Sequence, residues 1–213
     1  MTRRIVVISA GLSQPSSTRL LADQLADATR SAVGGRGESL DVDFIELREL
    51  AVEMAESMIS GGRPTPALSA AQRQVTRADG IIAVTPVFTA SYSGLFKTFV
   101  DLLDKDALTG KPVLVAATAG TPRHSLVLEH AMRPLFAYLR AVVVPTAVFA
   151  ATEDFGGEVD LDRRVHRAAG ELAGLVVAER TGVAGFAPSG DEGTSALGPV
   201  TDFSRLLQGH DGS

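Results

Sequence analysis

The chain of 213 residues has no cysteine, which excludes disulfides, thiolate metal centres and a cysteine nucleophile. It has no tryptophan and only two tyrosines, Tyr92 and Tyr138, so a flat ligand would be held with few aromatic rings. Positive charge is in short supply as well. The 20 Lys+Arg stand against 25 Asp+Glu, a net charge of -5, which argues against a broad basic face and against nucleic acid as a partner. The opening segment MTRRIVVIS carries only Ile5–Ile8 as an apolar run before a polar loop. That is too short for a secretory leader or a membrane span, so a cytoplasmic location is expected. The triphosphate signature GxxxxGK[ST] and the dinucleotide signature GxGxxG are both missing. His124, His130, His166 and His210 show no metal-ligand spacing. No Ser-His-Asp order or strained elbow supports hydrolysis.

What remains is an alternation of two patterns. Apolar runs at Ile5–Ile8, Val42–Ile45, Ile81–Val84, Val113–Ala117 and Val142–Val144, the last continuing past Pro145 to Phe149, have the short β-branched character of strands buried on both faces. Between them lie amphipathic helical patterns: Leu21, Leu25, Ala28 and Ala32; Ser93–Asp106 with Phe96, Phe99 and Leu103 inward; Leu128, Met132, Leu135 and Leu139; and Leu161, Val165, Ala168, Leu172 and Leu175. The alternation predicts an α/β fold, a doubly wound five-stranded parallel sheet with helices on both faces. One domain over residues 1–184 is expected. A flexible tail over 185–213, rich in Gly, Pro and Ser, would follow it and carry the short apolar element TDFSRLL. GGRGES and SGGRPTP read as plain connections, and TGKP (Thr109–Pro112), ahead of a strand, reads as a turn.

Ligands of such folds sit beyond the carboxyl ends of the strands. Three loops there have distinctive chemistry. In VVISAGLSQPSSTRLLADQLA, Ser16, Ser17 and Thr18 stand where the N-cap of the first helix belongs. Free amides and hydroxyls at that point can hold a phosphate without metal, or the hydroxyls can simply cap the helix. The second loop opens at Thr85–Pro86, with Pro86 expected to end the third strand and Ser93–Gly94 to start the next helix. Phe88 either packs in the core or lies beside a flat ring. The third loop, ATAGTPRHS, places the small residues Thr118, Ala119 and Gly120 near any planar ligand. Arg123 and His124 follow, as solvated surface or as contacts for an anion at the rim.

Together the loops resemble those of the NADPH-dependent FMN reductase family. TPVFTASYSGLFKTFVDLL is similar to the family's TPxYxxSYSGxLKxxLDxL, and the first loop to its GSxRxxSxNR. Ser16, Thr18 and Arg19 occupy matching positions, while Ser13 replaces the usual earlier Arg and Phe88 and Thr89 replace a Tyr and a polar or Lys residue. The resemblance implies a flavodoxin-like fold and NAD(P)H-dependent reduction of FMN. It implies FMN contacts at Ser9, Leu12, Ser16, Ser17 and Thr18; at Pro86, Val87, Phe88, Thr89 and Ser93; and at Thr118, Ala119 and Gly120, with no protein acid or base required.

LVLEHAMRPLFAYL (Leu126–Leu139) further resembles the reductases of two-component systems, which deliver reduced flavin to a separate monooxygenase and carry a π-bulge in this helix at a subunit contact. Pro134 independently predicts a bulge or kink near His130, whose carbonyl it cannot bond and would crowd, the plain alternative being a tolerated kink with an exposed His. Leu126, His130 and Pro134 form a second, non-core stripe on this helix, and with the apolar tail it leads to the expectation of a homodimer or homotetramer. The alternatives on the same fold are a quinone, azo or chromate reductase that retains FMN, a flavodoxin-type electron carrier, and a binding module without redox work. The scarcity of aromatic rings disfavours the carrier.

Overall fold

The computed structural model describes residues 2–157 and 159–178. The expected tail at 185–213 lies outside the described residues. Strand β1 (Thr2–Ser9) leads through α1 (Ser17–Gly34) to β2 (Ser39–Glu46), and a tight turn (Leu47–Leu50) then feeds α2 (Ala51–Ile59) and α3 (Pro66–Arg77). Strand β3 (Gly80–Phe88), a two-residue β4 (Ser91–Tyr92), α4 (Gly94–Asp101) and β5 (Pro112–Ala119) follow. A π-turn (Leu128–Met132) runs into α5 (Arg133–Tyr138), then β6 (Val142–Val143), β7 (Val148–Ala151), α6 (Asp154–Gly157) and α7 (Val159–Val177).

The sheet order is β2-β1-β3-β5-β6, with β7 beside β5 and β4 antiparallel to β3. Successive strand residues point to opposite faces, and the core divides accordingly. Ile5, Val7, Ile82 and Leu114 pack under α1 and α7. Val6, Ile8, Ile81 and Val113 pack against α3, α4 and α5. Both sides of the sheet are thus dry, as the unbroken apolar runs require.

The doubly wound architecture is as expected, but the described residues form seven strands where five are read from the runs. The fifth run is broken into β6 and β7, both parallel to β5, because Pro145 has no N–H for the ladder. Backbone groups freed at the break find side chains instead. Arg133 donates to the carbonyls of Val144 and Pro145, and Glu171 accepts from the Thr146 N–H and hydroxyl, each at 2.7 Å.

The other extra strand corrects the expectation that Pro86 ends β3. The strand runs through Pro86 to Phe88. The Val84 carbonyl faces β1 and accepts from Ala10 N–H, so the ring nitrogen of Pro86 points to the same side, where pairing with β1 has already stopped at Ser9. No ladder bond is lost there. The strand then folds back on β4 through Thr89 and Ala90, whose φ values of 49° and 69° are left-handed. Two left-handed residues are what a tight hairpin turn of matching twist demands.

Helix α4 ends at Asp101, short of the expected Asp106. Asp104 Oδ1 accepts from Asp106 N–H at 2.9 Å, a local turn that competes with helix. Leu175, expected on the buried face of α7, is exposed, and Val176 is buried in its place. The Gly-Lys pair of the TGKP turn has a structural use: the buried Lys111 ammonium donates to the carbonyls of Val75, Thr76 and Ala78 and closes the carboxyl end of α3.

Candidate active site

The carboxyl ends of β1, β3 and β5 bring the three loops around one cleft of about 300 Å³. Its walls include Leu12, Ser16, Ser17 and Thr18 from the first loop, Pro86, Val87 and Phe88 from the second, and Thr118, Ala119 and Gly120 from the third. Leu12 and Phe88, about half exposed, form apolar lips. Among the described residues no carboxylate and no cation lines this cleft.

The first loop is shaped for an anion. Ser16 caps α1, its hydroxyl accepting from Arg19 N–H at 3.2 Å and its carbonyl from Leu20 N–H at 3.0 Å. The amides of Ser17 and Thr18 donate to nothing among the described residues, and no acidic residue lies in the first turn. Two free donors at the positive end of an 18-residue helix are a ready phosphate cradle. Gly11 keeps that cradle open. A Cβ built there would overlap Ser16 Oγ and stand 3.2 Å from Thr18 Cβ. Capping leaves room for an anion, since the Ser16 hydroxyl takes one amide and leaves two.

Thr18 and Thr118 are both buried, and their hydroxyls bond each other at 2.8 Å. The first and third loops are thereby tied together at the base of the cleft. The second loop is fixed by the Thr85 hydroxyl, which accepts from Ser93 N–H at 3.0 Å, and by Ser93, which caps α4 through Phe96 N–H.

Three expected contacts do not line the cleft. Ser93 is buried as the cap just described, Thr89 sits exposed in the hairpin turn, and Ser9 is fully buried at the end of β1. The Ser9 hydroxyl has no partner among the described residues, and an orphaned buried donor beside this loop fits a ligand-binding strand end. Two lining residues, Ser13 and Thr152, are absent from the sequence-derived set. Ser13 registers there only as a missing arginine. Thr152 reaches the cleft because its N–H donates to the Ala119 carbonyl at 3.1 Å, a pairing that follows from β7 and has no sequence signal.

Arg19, at the matching arginine position of the loop, turns toward β2. It donates to Asp23 Oδ1 at 2.8 Å and Glu46 Oε1 at 2.7 Å and stacks 4.1 Å above the Phe44 ring. Burial works against its charge, but the hydrogen bonds to Asp23 and Glu46 outweigh burial and hold its pKa above the ordinary value. Arg123 and His124 are exposed in a short turn beyond Gly120.

A larger cleft of about 700 Å³ runs between α1 and α7, but Asp27, Asp154 and Asp162 line it and would repel a phosphate. The small cleft has the donors, apolar lips and small-residue floor that suit a ring carrying one phosphate. Fold and cleft together define a flavodoxin-like, doubly wound α/β protein whose cleft suits a flat ligand with one phosphate.

Comparison with known proteins gives the narrower class. Residues 3–156 match the family described as NADPH-dependent FMN reductase. The chain is 37% identical over 154 residues to an FMN reductase (NADPH) of Pseudomonas aeruginosa, covering 71% of this chain and 78% of that protein. It is 36% identical over 178 residues to the NADH-dependent FMN reductase SfnE of Pseudomonas putida, covering 83% and 89%. The solved structure of an oxidoreductase from Corynebacterium diphtheriae superposes with a TM-score of 0.81 at 54% identity, over 84% of this chain and 98% of that one. The chain belongs to the NADPH-dependent FMN reductase family.

Proposed function

We propose that this FMN reductase handles flavin as an exchangeable substrate, reducing it with NAD(P)H and releasing it to a separate flavin-dependent monooxygenase. The observation that carries the reading is the openness of the cleft. Leu12 and Phe88 are half exposed, and among the described residues no charged side chain lines the walls, so the hold on the ligand rests on amides, hydroxyls and one face of apolar contact. Ser17 and Thr18 N–H donate to the phosphate. Phe88, Val87 and Leu12 give the ring its apolar walls, and Ala119 and Gly120 are small enough for it to approach the backbone. The chemistry is hydride transfer from nicotinamide to the flavin ring, for which the protein supplies alignment. Among the described residues no lining side chain is an acid or base, and the reading asks none to move a proton.

The expected bulge supports a place in a two-component system. Residues Leu128–Met132 form a π-turn, with Pro134 in the first turn of α5. Leu126, His130, Pro134 and Tyr138 make an exposed stripe along this segment, and we assign to it the contact of a homodimer or homotetramer. Sedimentation at micromolar concentration giving only monomer would remove that assignment. Among the described residues no helix is long and apolar enough to cross a membrane, and the working location of the reading is cytoplasmic.

The test is steady-state oxidation of NAD(P)H by flavin-free protein. Added FMN is expected to stimulate the rate in a saturable way, and the flavin to be lost on dialysis. No stimulation, or a yellow colour that survives dialysis, would contradict release.

A further inference from the structure

The reaction brings two phosphorylated ligands to one cleft, and the first loop accounts for the flavin alone. The nicotinamide dinucleotide adds a diphosphate, and a protein of net charge -5 needs a cation near the mouth to offset it. Each loop has one cation close to its lining residues: Arg19, Lys97 and Arg123. Arg19 is turned to β2 and held by Asp23 and Glu46. Lys97 is held by both carboxylate oxygens of Asp101, at 2.6 and 2.7 Å. The exposed Arg123 guanidinium has no ion pair or hydrogen bond among the described residues. Its place follows from the backbone. Gly120 lines the cleft, and a Cβ built on it would meet nothing within 4 Å, so the space over this end of the floor is open. Thr121 is extended, and Pro122–His124 form one tight turn, closed by Ser125 N–H donating to the Pro122 carbonyl at 3.2 Å. The turn packs against β7, and Thr152, next after β7, also lines the cleft. Three residues span at most about 10 Å, so Arg123 stands at the rim, within reach of a ligand leaving the cleft.

We propose that Arg123 receives the diphosphate of the nicotinamide dinucleotide, so that NADH and NADPH are taken through one shared contact. This deepens the flavin reading of the cleft and rests on it. The nicotinamide has to lie on the flavin ring for hydride transfer. One ribose separates it from the diphosphate, which therefore falls at the mouth of the cleft and not on its floor. The 2′-phosphate that distinguishes NADPH lies beyond the second ribose. A guanidinium fork matches phosphate oxygens two at a time, and an unpaired one gives up no existing partner to do so.

The test is steady-state kinetics at saturating FMN with NADH, NADPH and reduced nicotinamide riboside, which carries no phosphate. Wild type is compared with Arg123→Ala, Arg123→Lys and Arg77→Ala. Arg77 is exposed at the carboxyl end of α3, ahead of β3 and so at the opposite edge of the sheet, and its removal controls for overall charge. In Arg123→Ala the KM for NADH and for NADPH is expected to rise alike, about tenfold, at unchanged kcat, in line with losing a charged hydrogen bond. Riboside oxidation, and FMN affinity read by fluorescence quenching, should not change. Arg123→Lys should recover most of the loss, and Arg77→Ala should show none. Thermal melts check folding, and Arg123→Gln replaces Arg123→Ala if that variant is unfolded. No loss in Arg123→Ala, an equal loss for the riboside or for FMN, or a loss matched by Arg77→Ala would overturn the proposal. So would a loss for NADPH alone, which would move the contact to the 2′-phosphate. A wild type that oxidises the riboside as efficiently as the dinucleotides would overturn the proposal alone. One that binds no FMN would overturn the reading of the cleft itself.

Discussion

The Thr18 hydroxyl lies 2.8 Å from the Thr118 hydroxyl, buried at the junction of the first loop and the end of β5. Two segments a hundred residues apart are thus locked by one short polar contact. Removing either hydroxyl leaves its partner buried and unpaired, at a cost of about 1–3 kcal/mol. Thr18→Val and Thr118→Val should each lower stability by that amount, and the double variant should cost less than the sum of the two. Urea titration of the four proteins checks the coupling. Strict additivity would mean the two hydroxyls act independently.

Gly11 is the position where a single methyl group matters most. Gly11→Ala would push the Ser16 hydroxyl out of its capping place. FMN affinity should drop about tenfold or more, as the two free amides lose their alignment. A titration of the variant with FMN reads this directly, and an unchanged dissociation constant would show that the cradle tolerates the added carbon.

The hairpin between β3 and β4 stores strain that glycine relieves. Ala90 holds φ at 69°, a conformation that costs an L side chain roughly 1–2 kcal/mol, against a smaller entropic cost for glycine in the unfolded chain. Ala90→Gly should therefore stabilise the protein by about 0.5–1 kcal/mol. The denaturation midpoint should rise with an unchanged slope.

Acid should weaken the β1–β2 edge. Arg3 Nε and Nη2 donate to the two carboxylate oxygens of Glu38 at 2.5 and 2.9 Å. That hydrogen bonding holds the Glu38 pKa below the ordinary carboxylate range despite some opposing desolvation. A lowered folded-state value stabilises the fold above the unfolded pKa, and the contribution disappears as pH falls through the folded one. Wild type should exceed Glu38→Gln in melting temperature at neutral pH, and the gap should close below about pH 4. A gap independent of pH would rule out an ionic origin.

Burial explains which of these features could be read from sequence. Strands dry on both faces must be continuous apolar runs, so β1, β3 and β5 are legible with the loops at their ends, while the half-buried edge strand β2 shows as the shorter run from Val42 to Ile45. Pro134 calls for a bulge or a kink near His130, and the π form is what the family resemblance adds. The broken fifth strand, the passage of β3 through Pro86 and the arrival of Thr152 at the cleft depend on which neighbour each strand lacks or gains. Composition does not carry that information. Helices α2 and α3 have a weaker signature for a different reason. AVEMAESMI leaves Val52 and Ile59 exposed and buries mainly Met54, so its periodicity is poor. In α3 the Thr65 cap followed by Pro66 was a usable signal.

The most direct trial of the central claim is a crystal structure of the protein with FMN. The account predicts the phosphate within hydrogen-bonding distance of the Ser17 and Thr18 amides, and the ring between Phe88 and the segment Thr118–Gly120. A phosphate seated elsewhere, or a cleft filled by the protein's own side chains, would contradict it.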